Sequence, residues 1–129
     1  MVAHGDVEFQ WSGNILIYKL QGAFNEQGLM LLVKERQQQL ESKKYSQWFR
    51  IIYLHDDALM SADLFKKSVA LELKSKNEGC LDTIYVVPNE SLRRYRQHYE
   101  TSLGCKSTYC DSIEEAIAVF STHAEFITN

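Results

Sequence analysis

The stretch that decides the fold is FRIIYLHDDALMSADLFKKSV, residues 49–69. With Trp48 before it, the stretch begins as a short, almost continuous apolar run, rich in β-branched and aromatic side chains, and this predicts a strand from Trp48 to Leu54. Such a run is typical of a parallel strand that is covered on both faces by helices. The charged residues after Leu54 mark the loop at the carboxyl end of this strand.

The loop after this strand contains the candidate site. Ser61 is a plausible N-cap for the next helix, because its hydroxyl can accept a bond from a free backbone N–H of the first turn. Asp63 in that turn suits the positive end of the helix dipole. In open α/β sheets, ligands and partners meet the edge outside the carboxyl ends of the strands. The residues proposed for partner binding or phosphorylation are Ser61, Asp56, Asp57 and Asp63. The alternative interpretation is a solvated acidic loop with a structural cap.

The segment after the loop predicts a helix over residues 61–76, with one ambiguous part. Val69, Leu71 and Leu73 alternate with less apolar residues, as they would in a strand. Strong helix formers dominate the segment and its start carries a cap, which favours a helix. The sequence leaves residues 68–74 open between helix and strand.

Upstream of the central strand, the pattern predicts a hairpin followed by a helix. Strands are expected over residues 7–11 and 14–20, since Ser12-Gly13-Asn14 between them is a turn signal. A helix is expected over residues 26–44, with Asn25 as its cap.

Downstream, the chain continues to alternate between strands and helices. Strands are expected over residues 80–87 and 107–110, and helices follow each, capped by Asn89 or Ser91 and by Asp111 or Ser112. The apolar stripe expected to be buried in the first of these helices is Leu92, Tyr95, Tyr99 and Leu103. The fold class predicted is α/β: one domain over residues 1–129, with a mixed, mostly parallel sheet, an N-terminal β-hairpin and about four helices packed on it.

Composition excludes several functional classes. The net charge of −3 gives no general support for nucleic-acid binding. The one basic cluster, residues 93–99, is interpreted as a solvated helix face, because Tyr95 and Tyr99 fall on the stripe expected to be buried. No apolar run approaches the roughly 20 residues of a membrane span. The N-terminus lacks a signal-peptide pattern, so a cytoplasmic location is expected.

No motif for catalysis, a cofactor or a metal is present. The three cysteines are an odd number, and Cys105 and Cys110 have no second pair or nearby histidine to complete a zinc site. His55, Asp56 and Asp57 are adjacent, and neighbouring strand residues point to opposite faces rather than converging on an ion. Nucleotide-binding glycine motifs and a nucleophile elbow are lacking. We therefore expect a protein that is not an enzyme and has no cofactor.

Three short motifs and the order of the elements resemble one known family. The motifs are IIYL before an acidic loop and a helix, TIYVVPN at residues 83–89, and YCDSIEEAIAVF at residues 109–120. Together they resemble the STAS domain of bacterial anti-sigma-factor antagonists, and more closely the SpoIIAA-like proteins that share this fold. The closing motif is similar to the family's last strand and helix, where an aspartate-serine cap precedes Glu-Glu-Ala.

The resemblance implies a regulatory role. In signalling members, a serine at the start of the second helix is phosphorylated, and the matching position in this chain is Ser61. The chain departs from the family pattern in having Met60 in place of the preceding aspartate and Ala62-Asp63 in place of the usual following residues. A phosphate at a helix N-terminus gains from the dipole, whereas the acidic residues of this loop repel it.

Two functions are therefore expected as alternatives. The first is a non-enzymatic regulatory module that binds a protein partner, such as a kinase-like anti-sigma factor or another regulator, through the loop after the third strand and the second helix. The second is a small carrier or sensor that binds a lipid-like apolar ligand between sheet and helices, since the SpoIIAA-like group is related in fold to lipid-binding domains. The exposed edge of the opening hairpin adds the hypothesis of a homodimer.

Overall fold

A five-stranded mixed sheet with four helices confirms the predicted fold class. The computed structural model describes residues 2–43 and 45–128. The strands are Asp6–Ser12 (β1), Ile15–Gln21 (β2), Trp48–Leu54 (β3), Cys80–Val86 (β4) and Thr108–Cys110 (β5). The helices are Glu26–Ser42 (α1), Ala62–Asn77 (α2), Glu90–Leu103 (α3) and Ile113–Phe120 (α4).

The sheet separates two apolar cores. Its strand order is β1-β2-β3-β4-β5, with β1 antiparallel to β2 and the remaining neighbours parallel. Because side chains alternate along a strand, Leu16, Tyr18 and Leu20 of β2 face the core that includes residues of α1, α2 and α3. Ile15 and Ile17 face the opposite core, which is closed by α4. Helices α1 to α3 therefore cover one face of the sheet and α4 covers the other.

The central strand β3 is buried on both faces, as its apolar run predicts. Trp48, Phe49 and Ile51 have no exposed surface. Phe49 stacks on Phe120 of α4 with ring centroids 4.6 Å apart. The one charged residue within the strand, Arg50, is also buried, and its side chain contacts Ser75 of α2.

Polar side chains cap all four helices at their N-termini, as the sequence predicts. Where two caps were possible, the structure selects Asn89 for α3 and Ser112 for α4. The cap bonds are donated by Gly28 to Asn25 (2.8 Å), Leu64 to Ser61 (3.3 Å), Leu92 to Asn89 (2.9 Å) and Glu115 to Ser112 (3.1 Å). Each bond satisfies a backbone N–H that a helix end leaves free.

Residues 68–74 lie within α2 and are helical. The alternation of Val69, Leu71 and Leu73 therefore does not reflect a strand. In the helix, Leu73 points outward and is 61% exposed, while Ser75 is buried. Helix α1 ends at Ser42, and the last residue of its predicted range, Lys44, lies outside the described residues.

The buried face of α3 differs from the predicted stripe. Leu92 is buried as expected, but Tyr95 is 41% exposed and Leu103 39% exposed. The face that packs on the sheet instead contains Arg96 and Glu100. The prediction was wrong because it assigned burial by apolarity, whereas two charged residues of this helix are buried through specific contacts.

The turn of the opening hairpin holds the C-terminal segment. Asn14 is fully buried, and its side-chain amide donates to the carbonyl oxygens of Gln47 (3.2 Å) and Glu125 (2.9 Å). Its Oδ1 accepts from the backbone N–H of Ile127 at 2.9 Å. Among the described residues, no helix is both long and apolar enough to cross a membrane.

Candidate functional site

A cavity lies between the sheet and helices α1 to α3. Its walls are largely apolar, with Leu20, Phe24, Leu29, Ile52 and Leu54 among the lining side chains. We call it the arginine cavity, because its lining also includes Arg36, Arg50 and Arg96. Each of these arginines comes from a different element: α1, β3 and α3.

The arginine cavity opens to solvent. The space between its walls is about 750 Å³ when this opening is included. Ligand sites in proteins are commonly concave and mostly apolar, with a few polar groups that fix orientation.

The cavity reaches the surface between α3 and the loop after β3. Tyr95 of α3 is a lining residue with an exposed side chain. Its Oη donates to the backbone carbonyl of Met60, another lining residue, over 3.4 Å. A long hydrogen bond at an exposed position is weak, so this contact between the helix and the loop opens at little cost.

A buried hydroxyl joins two of the arginines. Arg36 and Arg50 are only 2% and 3% exposed. Both guanidinium groups donate to Ser75 Oγ, at 2.6 Å from Arg36 and 2.9 Å from Arg50. Arg36 also pairs with Glu78 at 2.7 Å, and Arg50 donates to Thr83 Oγ1 at 3.1 Å. Helix α2 thus supplies the oxygen that holds the arginines of α1 and β3 together.

The third arginine is held by aromatic rings. The guanidinium carbon of Arg96 lies 4.2 Å from the ring centroid of Tyr85 and 4.8 Å from that of Phe65. Stacking of this kind stabilises a buried cation without an ion pair. Glu100, one turn further along α3, accepts from the backbone N–H of Ser107 at 2.8 Å and from Tyr109 Oη.

Three buried polar atoms at this site have no hydrogen-bond partner among the described residues. They are Tyr18 Oη, Arg36 Nε and Arg96 Nε. All three residues line the arginine cavity. Buried polar groups in proteins are nearly always hydrogen-bonded, so three unpartnered donors in residues of one cavity are unusual.

The ionisable groups of the cavity are strongly affected by burial. Burial raises the pKa of the Glu72 carboxyl, although Arg50 and Arg96 act to lower it. Burial also raises the pKa of Tyr18, and the charge of Arg50 only partly offsets this. For Arg50, burial acts to lower the pKa, but the neighbouring Tyr18, Cys80 and Glu72 raise it overall. For Glu72, the effect of burial therefore outweighs the attraction of the two arginines for the carboxylate charge.

The four residues predicted as a site lie on the surface of the β3–α2 loop and the first turn of α2. Asp56, Asp57, Ser61 and Asp63 are all exposed. Asp57 Oδ1 accepts from the backbone N–H of Gly22 at 3.0 Å, and Ser61 caps α2. Two of the four thus have structural contacts, and their role in partner binding or phosphorylation stays a prediction.

The same loop has an inner side that belongs to the arginine cavity. Ala58 and Met60 line the cavity, whereas Asp56 and Leu59 are exposed. Leu59 is also bonded to the β2–α1 connection, where its carbonyl accepts from Phe24 N–H at 2.8 Å. A molecule bound inside and a partner bound outside would contact neighbouring residues of one segment.

The arginines and Tyr18 were missed by sequence reasoning. Arg50 had a visible signal, as a single charge inside the otherwise apolar strand WFRIIYL. Arg36 and Arg96 each lie four residues after a buried leucine, Leu32 and Leu92, and so share its helix face.

No family model and no curated protein matches this chain. The described residues contain no group of three histidine, cysteine, aspartate or glutamate side chains placed to hold a metal ion. Cys80 and Cys110 are buried free thiols, and burial raises the pKa of both. The site is therefore characterised by its own geometry.

Proposed function

We propose that this chain is a non-enzymatic binding module that holds a small, largely apolar ligand in the arginine cavity, as a carrier or sensor. The observation that carries the proposal is a cavity between sheet and helices with apolar walls and a few buried polar groups. That combination is the common character of small-molecule sites. The carrier or sensor alternative raised by the sequence requires a space in this position.

Membership of the STAS/SpoIIAA-like family is part of the proposal. It is supported by the element order, an opening hairpin followed by alternating helices and strands, on which the resemblance rests. It is also supported by the closing motif, whose Ser112 caps α4. Fold alone does not define function, so the ligand proposal rests on the cavity.

The test is binding of a neutral apolar fluorescent probe, N-phenyl-1-naphthylamine, to the full chain. Ser68 of α2 lines the cavity, and Ser68→Leu adds an apolar side chain there. The matched control is Ser102→Leu, the same change at an exposed residue near the end of α3. We expect Ser68→Leu to weaken probe binding about tenfold, equivalent to about 1.4 kcal/mol, and the control to leave it unchanged.

Either of two results would overturn the proposal. The wild-type chain showing no saturable probe binding would remove the cavity as a ligand site. Equal affinities for wild type and both variants would place the probe elsewhere on the surface.

Regulatory partner binding is the second candidate, and the two-sided β3–α2 loop is the observation that favours it. A protein regulator, such as a kinase-like anti-sigma factor, would contact the exposed Asp56, Asp57, Ser61 and Asp63. Ligand binding inside would then alter the partner surface through Ala58 and Met60.

This second candidate is tested by affinity capture with wild type and Ser61→Asp. The control is Ser91→Asp, an exposed serine in the first turn of α3. A partner retained by wild type and the control but lost by Ser61→Asp supports a contact at the head of α2. Identical partners for all three proteins would remove Ser61 from the account. A homodimer through the edge strand β1 stays a prediction that sedimentation can measure.

A further inference from the structure

We infer that the ligand of the arginine cavity is an amphiphile with a carboxylate head group, held by Arg50, Arg36 and Tyr18. This inference rests on the proposed function and adds the chemical class of the ligand. It is carried by a buried charge without an ion pair, by unpartnered donors and by the apolar lining of the cavity.

Two buried positive charges lie close together at the cavity. Arg36 and Arg50 are held beside one another by Ser75 Oγ. Arg36 has the carboxylate of Glu78 within 4.0 Å, whereas Arg50 has no carboxylate within that distance among the described residues. The hydrogen bonds of Arg50 go to the neutral hydroxyls of Ser75 and Thr83. A buried cation without a paired anion is costly, and a bound anion reduces that cost.

Unpartnered hydrogen-bond donors lie beside these charges. Tyr18 Oη and Arg36 Nε are buried donors that have no partner among the described residues. Tyr18 lies close to Arg50, whose guanidinium carbon is 5.6 Å from the centroid of its ring. A carboxylate has only acceptor sites and so can satisfy several donors at once, and its geometry matches the fork of a guanidinium.

The acidic side chains of the described residues do not pair with Arg50, so a bound anion can do so. Glu72 lines the same cavity and is the one internal carboxylate of the described lining that would compete with such an anion. Burial raises the pKa of Glu72, and among the described residues Glu72 forms no ion pair with an arginine. Glu100 is already bonded to Ser107 N–H and Tyr109, and burial keeps the nearby Cys80 thiol protonated.

The lining of the cavity indicates an apolar tail on the anion. Besides the arginines, it includes leucine, isoleucine and phenylalanine side chains, among them Leu29, Ile52 and Leu54. A free inorganic anion would leave these walls unused, whereas an alkyl chain attached to the carboxylate fills them.

The experiment is calorimetric titration of the full chain with three probes: octanoate, octan-1-ol and acetate. Octanoate carries both parts of the inferred ligand, octan-1-ol only the tail with a neutral head, and acetate only the head. We expect octanoate to bind at least about tenfold more tightly than octan-1-ol, since a charge-assisted hydrogen bond is roughly twice as strong as a neutral one. We expect no measurable binding of acetate.

A variant separates recognition from folding. Tyr18→Phe removes the unpartnered hydroxyl and keeps the ring, so it should not lower the melting temperature of the free protein. It should weaken octanoate binding by about tenfold and leave octan-1-ol unchanged, if the hydroxyl donates to the head group. The matched control is Tyr53→Phe on β3, whose side chain packs on the α4 side of the sheet, and this change should affect neither probe.

The outcomes distinguish this inference from the proposed function. Equal binding of octanoate and octan-1-ol overturns the carboxylate head while the apolar-ligand proposal survives. No binding of either overturns both. Acetate binding as tightly as octanoate overturns the amphiphile, and a Tyr18→Phe loss that is equal for both long-chain probes overturns the role of the hydroxyl.

Discussion

Replacing Ser75 by alanine should cost far more stability than its size suggests. Ser75 is fully buried, and its Oγ accepts from Arg36 at 2.6 Å and from Arg50 at 2.9 Å. It also donates to the carbonyl of Leu71 at 3.1 Å. The change leaves two buried guanidinium N–H groups without this acceptor.

The magnitude follows from these contacts. A hydrogen bond to a charged group contributes about 1.5–3 kcal/mol, so the loss of two should lower the free energy of unfolding by about 3–6 kcal/mol. The matched control is Ser68→Ala on the same helix. Ser68 Oγ only donates to the Phe65 carbonyl, at 2.7 Å, so that change should cost about 0.5 kcal/mol or less.

The assay is equilibrium unfolding in urea, followed by the fluorescence of the two tryptophans. Trp48 is a direct reporter, because its Nε1 donates to the Glu78 carbonyl beside the Arg36 ion pair, at 3.1 Å. The reasoning is refuted if Ser75→Ala and Ser68→Ala differ by less than about 1 kcal/mol with the same dependence on urea.

Three further predictions concern pH, the C-terminal segment and the start of α1. The pKa of Glu72 is raised above its ordinary 4.5, so the folded chain binds more protons than the unfolded chain and stability falls as pH rises through the folded pKa. Glu72→Gln should remove that fall. The unfolding free energy of the variant minus that of wild type should therefore increase from about pH 4 to pH 7. The control Glu114→Gln, at an exposed position, should show no such trend. Asn14→Ala should speed amide exchange selectively near the C-terminus, because the side chain bonds residues 125 and 127; unchanged exchange there would contradict this. Gly28→Ala should lower the melting temperature, because an added Cβ would lie 1.8 Å from the His4 carbonyl oxygen. Helix propensity alone favours alanine by about 1 kcal/mol, so a rise in melting temperature would contradict this prediction.

The elements of this fold are readable from sequence because their signals are local. The apolar run from Trp48 to Leu54 and the cap residues Asn25, Ser61 and Ser112 act within a few residues of themselves. Alternation of strands and helices then restricts the topology to a mostly parallel sheet. These steps need no knowledge of which side chains meet across the core.

The arginine cavity is not readable in the same way because its residues come from distant parts of the chain. Arg36, Arg50 and Ser75 belong to three elements, and only their contact in the folded chain explains why charged groups are buried. Arg96 shows the same limit: the apolar stripe of α3 points to Tyr95, but the rings of Phe65 and Tyr85 bury Arg96 instead.

The loop after β3 was found from sequence because a strand end is a local signal, and its exposed residues are where they were expected. Its inner contacts could not be foreseen. The bond between Asp57 and Gly22 and the lining role of Met60 depend on the neighbouring β2–α1 connection and on α3.

The most direct test of the central claim is the backbone amide NMR spectrum of the labelled chain during titration with octanoate. The account predicts saturable shifts concentrated on the α1–α3 side of the sheet, at residues such as Leu20, Leu29 and Leu71. Ala116 and Phe120 on the α4 side should change little. Saturable shifts confined to the α4 side, or no shifts at all, would contradict the assignment of the arginine cavity as the ligand site.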